Sequence, residues 1–205
     1  MKNPAPVLAS FLAFVLTSGT APSAQAREGT LELPEYIGDL EFDGEYVFKD
    51  PRLGRSYLYG APWLSLVIYV YDDGVEHIPD GANSDVVNAQ FERAIREIRS
   101  QPVYENVELL SEGSVQLGSG SSALDAREAV FTLRTEGGEA KSYLWITGYG
   151  GLIYKVRFTA SHIREQDGRI NRGEILEAVG ESIRRAHEAR PIRQASNLTD
   201  SPVGS

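Results

Sequence analysis

The sequence predicts an α+β fold, a single antiparallel β-sheet with two main amphipathic helices packed on it, in the order β-β-β-α-β(3-5)-α. Three observations predict it. Lys141–Ser161 reads as two long strands joined by glycines. Two stretches carry apolar residues at helical spacing, one on either side of a run of strands. The remaining strands are separated by short Gly, Pro and Asp signals of the kind that join antiparallel neighbours.

The hairpin is the clearest element. Leu152, Tyr154, Val156 and Phe158 alternate with Ile153, Lys155, Arg157 and Thr159, so one face is expected to be buried and the other largely polar. The preceding strand is apolar or aromatic on both faces (Tyr143, Trp145 and Leu144, Ile146), as in a strand covered from both sides. Gly148-Tyr149-Gly150-Gly151 joins the two, because glycine adopts the positive φ of a tight hairpin turn.

In chain order, residues 27–44 are acidic and punctuated by Gly and Pro, which predicts a lead-in arm before an α+β domain over 45–190. Glu45–Phe48 and Ser56–Tyr59 are short strand candidates around the turn Asp50-Pro51-Arg52-Leu53-Gly54. Leu64–Tyr71 is a strong strand that ends at Asp72-Asp73-Gly74. Asn83, Ser84 or Asp85 can cap a helix whose stripe is Val87, Phe91, Ala94, Ile95 and Ile98. Residues 103–117 alternate weakly, as one or two strands, and Gly118–Ser122 reads as a flexible loop. Ala129–Thr135 is a strand that Gly137-Gly138 turns into the hairpin. Asn171, with Glu174 three residues on, is expected to cap a second helix with the stripe Ile175, Val179, Ile183 and Ala186. Both helices are expected on one face of the sheet. Residues 191–205, after a helix-ending proline, read as a disordered tail.

The first 26 residues read as a signal peptide. Lys2 supplies a short positive region, Val7–Leu16 an apolar run too short for an ordinary membrane span, and Ala24-Gln25-Ala26 a small-x-small cleavage site. Cleavage near Ala26 leaves 19 basic against 29 acidic residues, a charge of −10. Such a chain is expected to be soluble, without a membrane span, and repelled by nucleic acid and anionic lipid. It has no cysteine, which excludes a thiol nucleophile, a redox CxxC pair and a Cys-ligated metal. A periplasmic or secreted bacterial location is expected, since secreted eukaryotic domains more often use disulfides.

The succession of strand, glycine turn, strand, polar loop and terminal amphipathic helix, carried by Tyr143–Gly148, Gly150-Gly151, Tyr154–Ala160 and Ile175–Ile183, resembles the end of Mog1/PsbP-like domains. The first half, with DPRLG and SYLYGAPWLSLVIYVYD, is similar to exported proteobacterial proteins of unknown function. The resemblance implies an accessory or binding protein rather than an enzyme, and it transfers no site residues.

Two groups of residues are candidates for function. Trp63 and Tyr149 in turns, with Tyr69 and Tyr71 on a strand, are amphipathic rings of the kind that anchor protein interfaces. They support an exported, soluble, non-enzymatic accessory or binding protein whose partner is another envelope protein and which needs no cofactor. For any single ring the competing reading is core packing. Asp72, Asp73, Glu76, His77 and Asp80 form an acidic loop that, alternatively, holds a divalent cation through oxygen ligands, against the simpler reading of a solvated turn. The spacing is neither that of an EF-hand nor HExxH. A hydrolase ranks third, because neither GxSxG nor SxxK is present. His77, His162 and His187 are widely separated and read as surface or end-of-element residues.

Overall fold

A computed structural model describes residues 33–161 and 171–188. The expected leader (1–26), the first residues of the arm (27–32) and the tail (191–205) lie outside them. The described elements are β1 (Tyr36–Ile37), β2 (Leu40–Val47), β3 (Arg55–Ala61), β4 (Leu64–Tyr71), α1 (Asp85–Ser100), β5 (Glu105–Leu117), β6 (Leu124–Thr135), β7 (Gly138–Tyr149), β8 (Leu152–Ser161) and α2 (Arg172–Glu188). The strands form one antiparallel sheet in the order β1-β2-β3-β4-β8-β7-β6-β5. The α+β architecture with a single sheet is therefore the observed one. Among the described residues no helix is long and apolar enough to cross a membrane.

The central hairpin forms as its alternation dictates. Tyr149 pairs with Leu152 across Gly150-Gly151, whose φ values of 57° and 75° are those of a type I′ turn. On one face of the sheet Tyr143, Trp145 and Phe158 stack with ring centroids 5.9–6.3 Å apart. They meet the α2 stripe of Ile175, Leu176, Val179, Ile183 and Ala186. On the other face Leu144, Ile146 and Ile153 meet Val87, Phe91, Ala94, Ile95 and Ile98 of α1. The two helices thus lie on opposite faces, not on one. Strands apolar on both sides leave two faces to cover, and one helix covers each. The outer face of β8 is accordingly less polar in its surroundings than its alternation suggests, and Lys155 is only 14% exposed.

Both helices begin where local chemistry allows. The Ser84 hydroxyl accepts from the Val87 N–H at 3.2 Å. Asn171 accepts from the N–H groups of Gly173 and Glu174 at 3.0 and 3.4 Å and donates to the Glu174 carboxylate at 2.9 Å. The sheet curls around α2 so that both its edges reach the helix. Gly38, beside β1, approaches Ile175, and the Gly118 N–H, just past β5, donates to the Leu176 carbonyl at 2.9 Å.

Two strand assignments are corrected. The segment expected as an arm enters the sheet, because β1 and half of β2 lie within it and Ile37 and Leu40 are fully buried. Of residues 103–117, expected as one or two strands, Glu105–Leu117 forms one thirteen-residue strand, and β6 begins at Leu124 rather than Ala129. Register shifts explain the weak patterns. β5 is irregular between Glu105 and Glu108 and between Leu109 and Ser111, and β2 between Phe42 and Gly44. Each extra residue inverts the parity of the rest of its strand, so no single alternation survives. Within the expected Gly118–Ser122 loop, Gly120–Ser122 makes one 3-10 turn.

Where the edge of the sheet closes on α2, the fit leaves no room. A Cβ at Gly180 would stand 2.1 Å from the Gly118 nitrogen and 2.2 Å from the Leu117 carbonyl carbon. Gly180→Ala is expected to cost about 1–3 kcal/mol by forcing the helix off the strand. Gly113→Ala, with nothing within 4 Å of the new methyl, serves as the control. Urea unfolding of both variants checks this, and equal midpoints would show that the helix moves freely.

Candidate functional site

The aromatic residues singled out by the sequence fall in three places. Tyr69 and Tyr71 lie together on the α1 face of β4. Lys155 of β8, cross-strand from Tyr69, sets its ammonium 4.6 Å from the centre of that ring and 5.9 Å from the Tyr71 ring. It reaches Glu97 of α1 at 3.3 Å. The Tyr71 hydroxyl donates to Gln90 Oε1 at 3.0 Å, Gln90 Nε2 donates to Asp73 at 2.9 Å, and Arg93 donates to the same carboxylate oxygen at 3.0 Å and also reaches Gln90. Burial holds the Lys155 ammonium below the ordinary lysine value, with Glu97 opposing the shift, and burial raises both phenols. Arg157 extends the cluster by donating to the Ser142 hydroxyl at 2.9 Å beneath the Tyr104 ring. These groups are engaged with one another. Chemically the network fastens α1 to the sheet.

Trp63 is at the opposite end of β4, in the two-residue turn Pro62-Trp63 between β3 and β4, and is 45% exposed. Its φ is 72°, a left-handed conformation that costs a bulky residue about 1–2 kcal/mol. Proline at the first turn position and a positive φ at the second are the geometry of a type II turn, which ordinarily takes glycine where Trp63 stands. The Trp63 carbonyl accepts from the Ser161 N–H at 3.0 Å, so the β8 terminus holds the turn.

Tyr149 sits at the other end of the hairpin, half-buried, with its ring 4.9 Å from that of His187 at the end of α2. The fold therefore brings Tyr69 and Tyr71 together and leaves Trp63 and Tyr149 at opposite ends of the strands.

The acidic loop is spread over separate tasks. Asp72 accepts from the Gly74 N–H at 2.8 Å, Asp73 faces α1, and Asp80 accepts from the Gly150 N–H at 2.7 Å, tying the loop to the hairpin turn. Glu76 and His77 are exposed. Among the described residues no three His, Asp or Glu side chains converge as a metal site would require.

Sequence reasoning missed the start of β2. Tyr36 and Phe42 are exposed there, and Phe42 packs edge-on against Tyr59 with centroids 5.4 Å apart. Tyr59 donates its hydroxyl to the Pro34 carbonyl at 2.8 Å and so pins the chain entering β1. The signal available was Ile37, Leu40 and Phe42 around the Gly38-Asp39 turn, diluted by five acids between residues 35 and 45.

Two outcomes are expected. Glu97→Gln leaves the Lys155 ammonium without its carboxylate and should cost about 1–3 kcal/mol. Adding Lys155→Met should recover much of that loss, whereas additive losses in chemical denaturation would show that the pair is not coupled. Tyr59 titrates at 10.0 when unfolded and, raised by burial, at about 12 when folded. The stability it lends is complete below pH 10.0 and is lost as pH climbs towards about 12. Lys155, held low, acts in the opposite sense below its ordinary 10.5. In Tyr59→Phe the fall in stability over that alkaline window should shrink, as read by urea midpoints at successive pH values.

No family model matches the chain, and no curated protein matches it. Among solved structures it weakly resembles the solution structure of cyanobacterial PsbP (CyanoP) from Synechocystis, at 13% identity and a TM-score of 0.43, covering 80% of this chain and 96% of that one. It also resembles the Ran-binding protein Mog1p of Saccharomyces cerevisiae, at 6% identity and a TM-score of 0.31, covering 73% and 94%. The chain is thus similar, at a low level, to the PsbP and Mog1 folds that its hairpin and last helix resemble.

Proposed function

We propose that the protein is exported and acts in the bacterial envelope as an accessory protein that binds another protein, with Trp63 as its anchor. The leader-like first 26 residues support export. The observation that carries the binding reading is Trp63 itself. Of the four aromatics, Tyr71 is buried under α1, while Tyr69 and Tyr149 are half-buried against Lys155 and His187. Trp63 alone of the four stands out, in a turn conformation that glycine would adopt at less cost. An indole kept exposed and in an unfavourable backbone conformation is disadvantageous to folding and suited to recognition, because strain of this kind concentrates at binding sites and tryptophan is enriched at interface hot spots.

Trp63→Gly separates the two roles. The variant should keep its stability to within about 1 kcal/mol, or gain, since glycine relieves the turn. It should lose a partner that native mass spectrometry finds on the protein released gently from its host's envelope. The chain has two tryptophans, and Trp145 is fully buried, so a blue shift of emission on partner addition reports on Trp63. Equal partner retention by Trp63→Gly, or a bare monomer from the wild-type host, would overturn the reading.

A further inference from the structure

The outer edge of β2 is open over most of its length. β1 pairs with it only at Leu40 and Glu41, and the Phe42 N–H donates to the Glu35 carbonyl at 2.8 Å. Beyond that point, among the described residues, β2 pairs on one side alone, with β3. An unpaired strand edge is a template for another strand, and proteins commonly block it with lysine or other charges, proline or a bulge. This edge carries no lysine or proline between Glu35 and Val47, and is marked only by its acids and the irregularity between Phe42 and Gly44. It carries large exposed side chains instead, Phe42 at 40% and Tyr46 at 37%, interleaved with acids. Glu45 reaches Arg55 at 2.7 Å, while Glu41 and Asp43 form no ion pair among the described residues. The edge therefore has bare backbone groups, apolar surface and uncompensated negative charge within one strand length.

These properties select the occupant. A second copy would bring the same acids against Glu41 and Asp43, and like charges across a strand pair are destabilising. We propose that the β2 edge receives an extended basic segment of another protein as an added strand. Its backbone pairs with β2, its cations lie on the face of Glu41, and its aliphatic side chains cover Phe42 on the other face, since the extra residue between Phe42 and Gly44 puts Tyr46 on the Glu41 side. The site rests on the binding role proposed for Trp63, and only its near end, Glu41, pairs close to that turn, with Gly60 three residues before Trp63.

The probe is a peptide of about ten residues alternating lysine and valine, one strand's length, compared with its glutamate–valine counterpart and with a proline-interrupted version. Calorimetry on the full chain is expected to show binding at least about ten-fold tighter for the lysine peptide than for either control. Amide exchange should slow at residues 43–47. Glu41→Lys/Asp43→Lys, both exposed positions, should abolish the preference, whereas Glu108→Lys/Glu112→Lys on the far edge, with the same change in charge, should keep it. Equal loss in both double variants would reduce the effect to net charge and overturn the proposal. A β2-dependent dimer in sedimentation, or peptide binding only after deletion of residues 1–32, would overturn it in favour of a second copy or of the chain's own amino-terminal segment. Because Trp63→Gly leaves Glu41 and Asp43 intact, partner loss in that variant without peptide binding at β2 would sink the edge proposal alone.

Discussion

Burial of β4, β8 and β7 from both sides is the constraint on which the rest of the molecule depends. A sheet centre covered twice excludes water from both faces, so any polar side chain there needs a partner within the protein. On the α2 face Tyr143, Trp145 and Phe158 fill the space with stacked rings, and the Trp145 indole donates to Glu128 at 2.8 Å. On the α1 face Lys155 and Arg157 point inwards, and that fact dictates their surroundings. Glu97 is supplied by the helix, Tyr69 and Tyr104 present ring faces, and Ser142 offers a hydroxyl that is itself bonded to Thr159 at 2.9 Å. The polar network fixes where α1 sits, since the apolar stripe alone would tolerate sliding along the strands.

How much of this was legible in the sequence depends on whether local pattern and final environment agree. The β7–β8 hairpin was legible because Leu152, Tyr154, Val156 and Phe158 fall at every second position and a glycine pair closes the turn. Helix α1 was legible from Ser84 and its stripe. β2 and β5 were not, and the reason is specific: their register shifts invert parity midway, so residues on one face stop obeying a period of two. The placement of the helices was half legible. Two-sided apolarity in Tyr143–Ile146 already implied cover on both faces, yet periodicity within a helix says nothing about which face it meets.

The candidate site shows the same division. The place of Trp63 in a turn was legible from Pro62 beside it, whereas its exposure was not, since core packing competed for every ring. That Tyr69 and Tyr71 would share Lys155, while Trp63 and Tyr149 would part to opposite ends, depends on strand direction and on β4 lying beside β8, a pairing of residues some ninety positions apart. The acidic loop illustrates the converse. Five titratable residues crowded in nine positions suggest a ligand cage. Carboxylates in turns, however, are drawn to nearby backbone N–H groups, and Asp72 and Asp80 are used in that way.

Rigidity at the centre also accounts for what the periphery tolerates. A domain with a doubly covered sheet holds its stability in β4, β7, β8 and the helices, so an unfavourable φ at Trp63 and an open β2 edge cost the fold little in relative terms. The start of β2 is joined to β3 through the pairing of Glu41 with Gly60 and the edge-on contact of Phe42 with Tyr59, and from there the open edge runs away from Trp63 towards Val47, opposite Arg55. Tyr59 is itself fixed by the Pro34 carbonyl and buried in the α2-side core. The Phe42 ring, resting on Tyr59, is thus backed by the core. Pre-organised surfaces bind with less loss of conformational freedom than mobile loops.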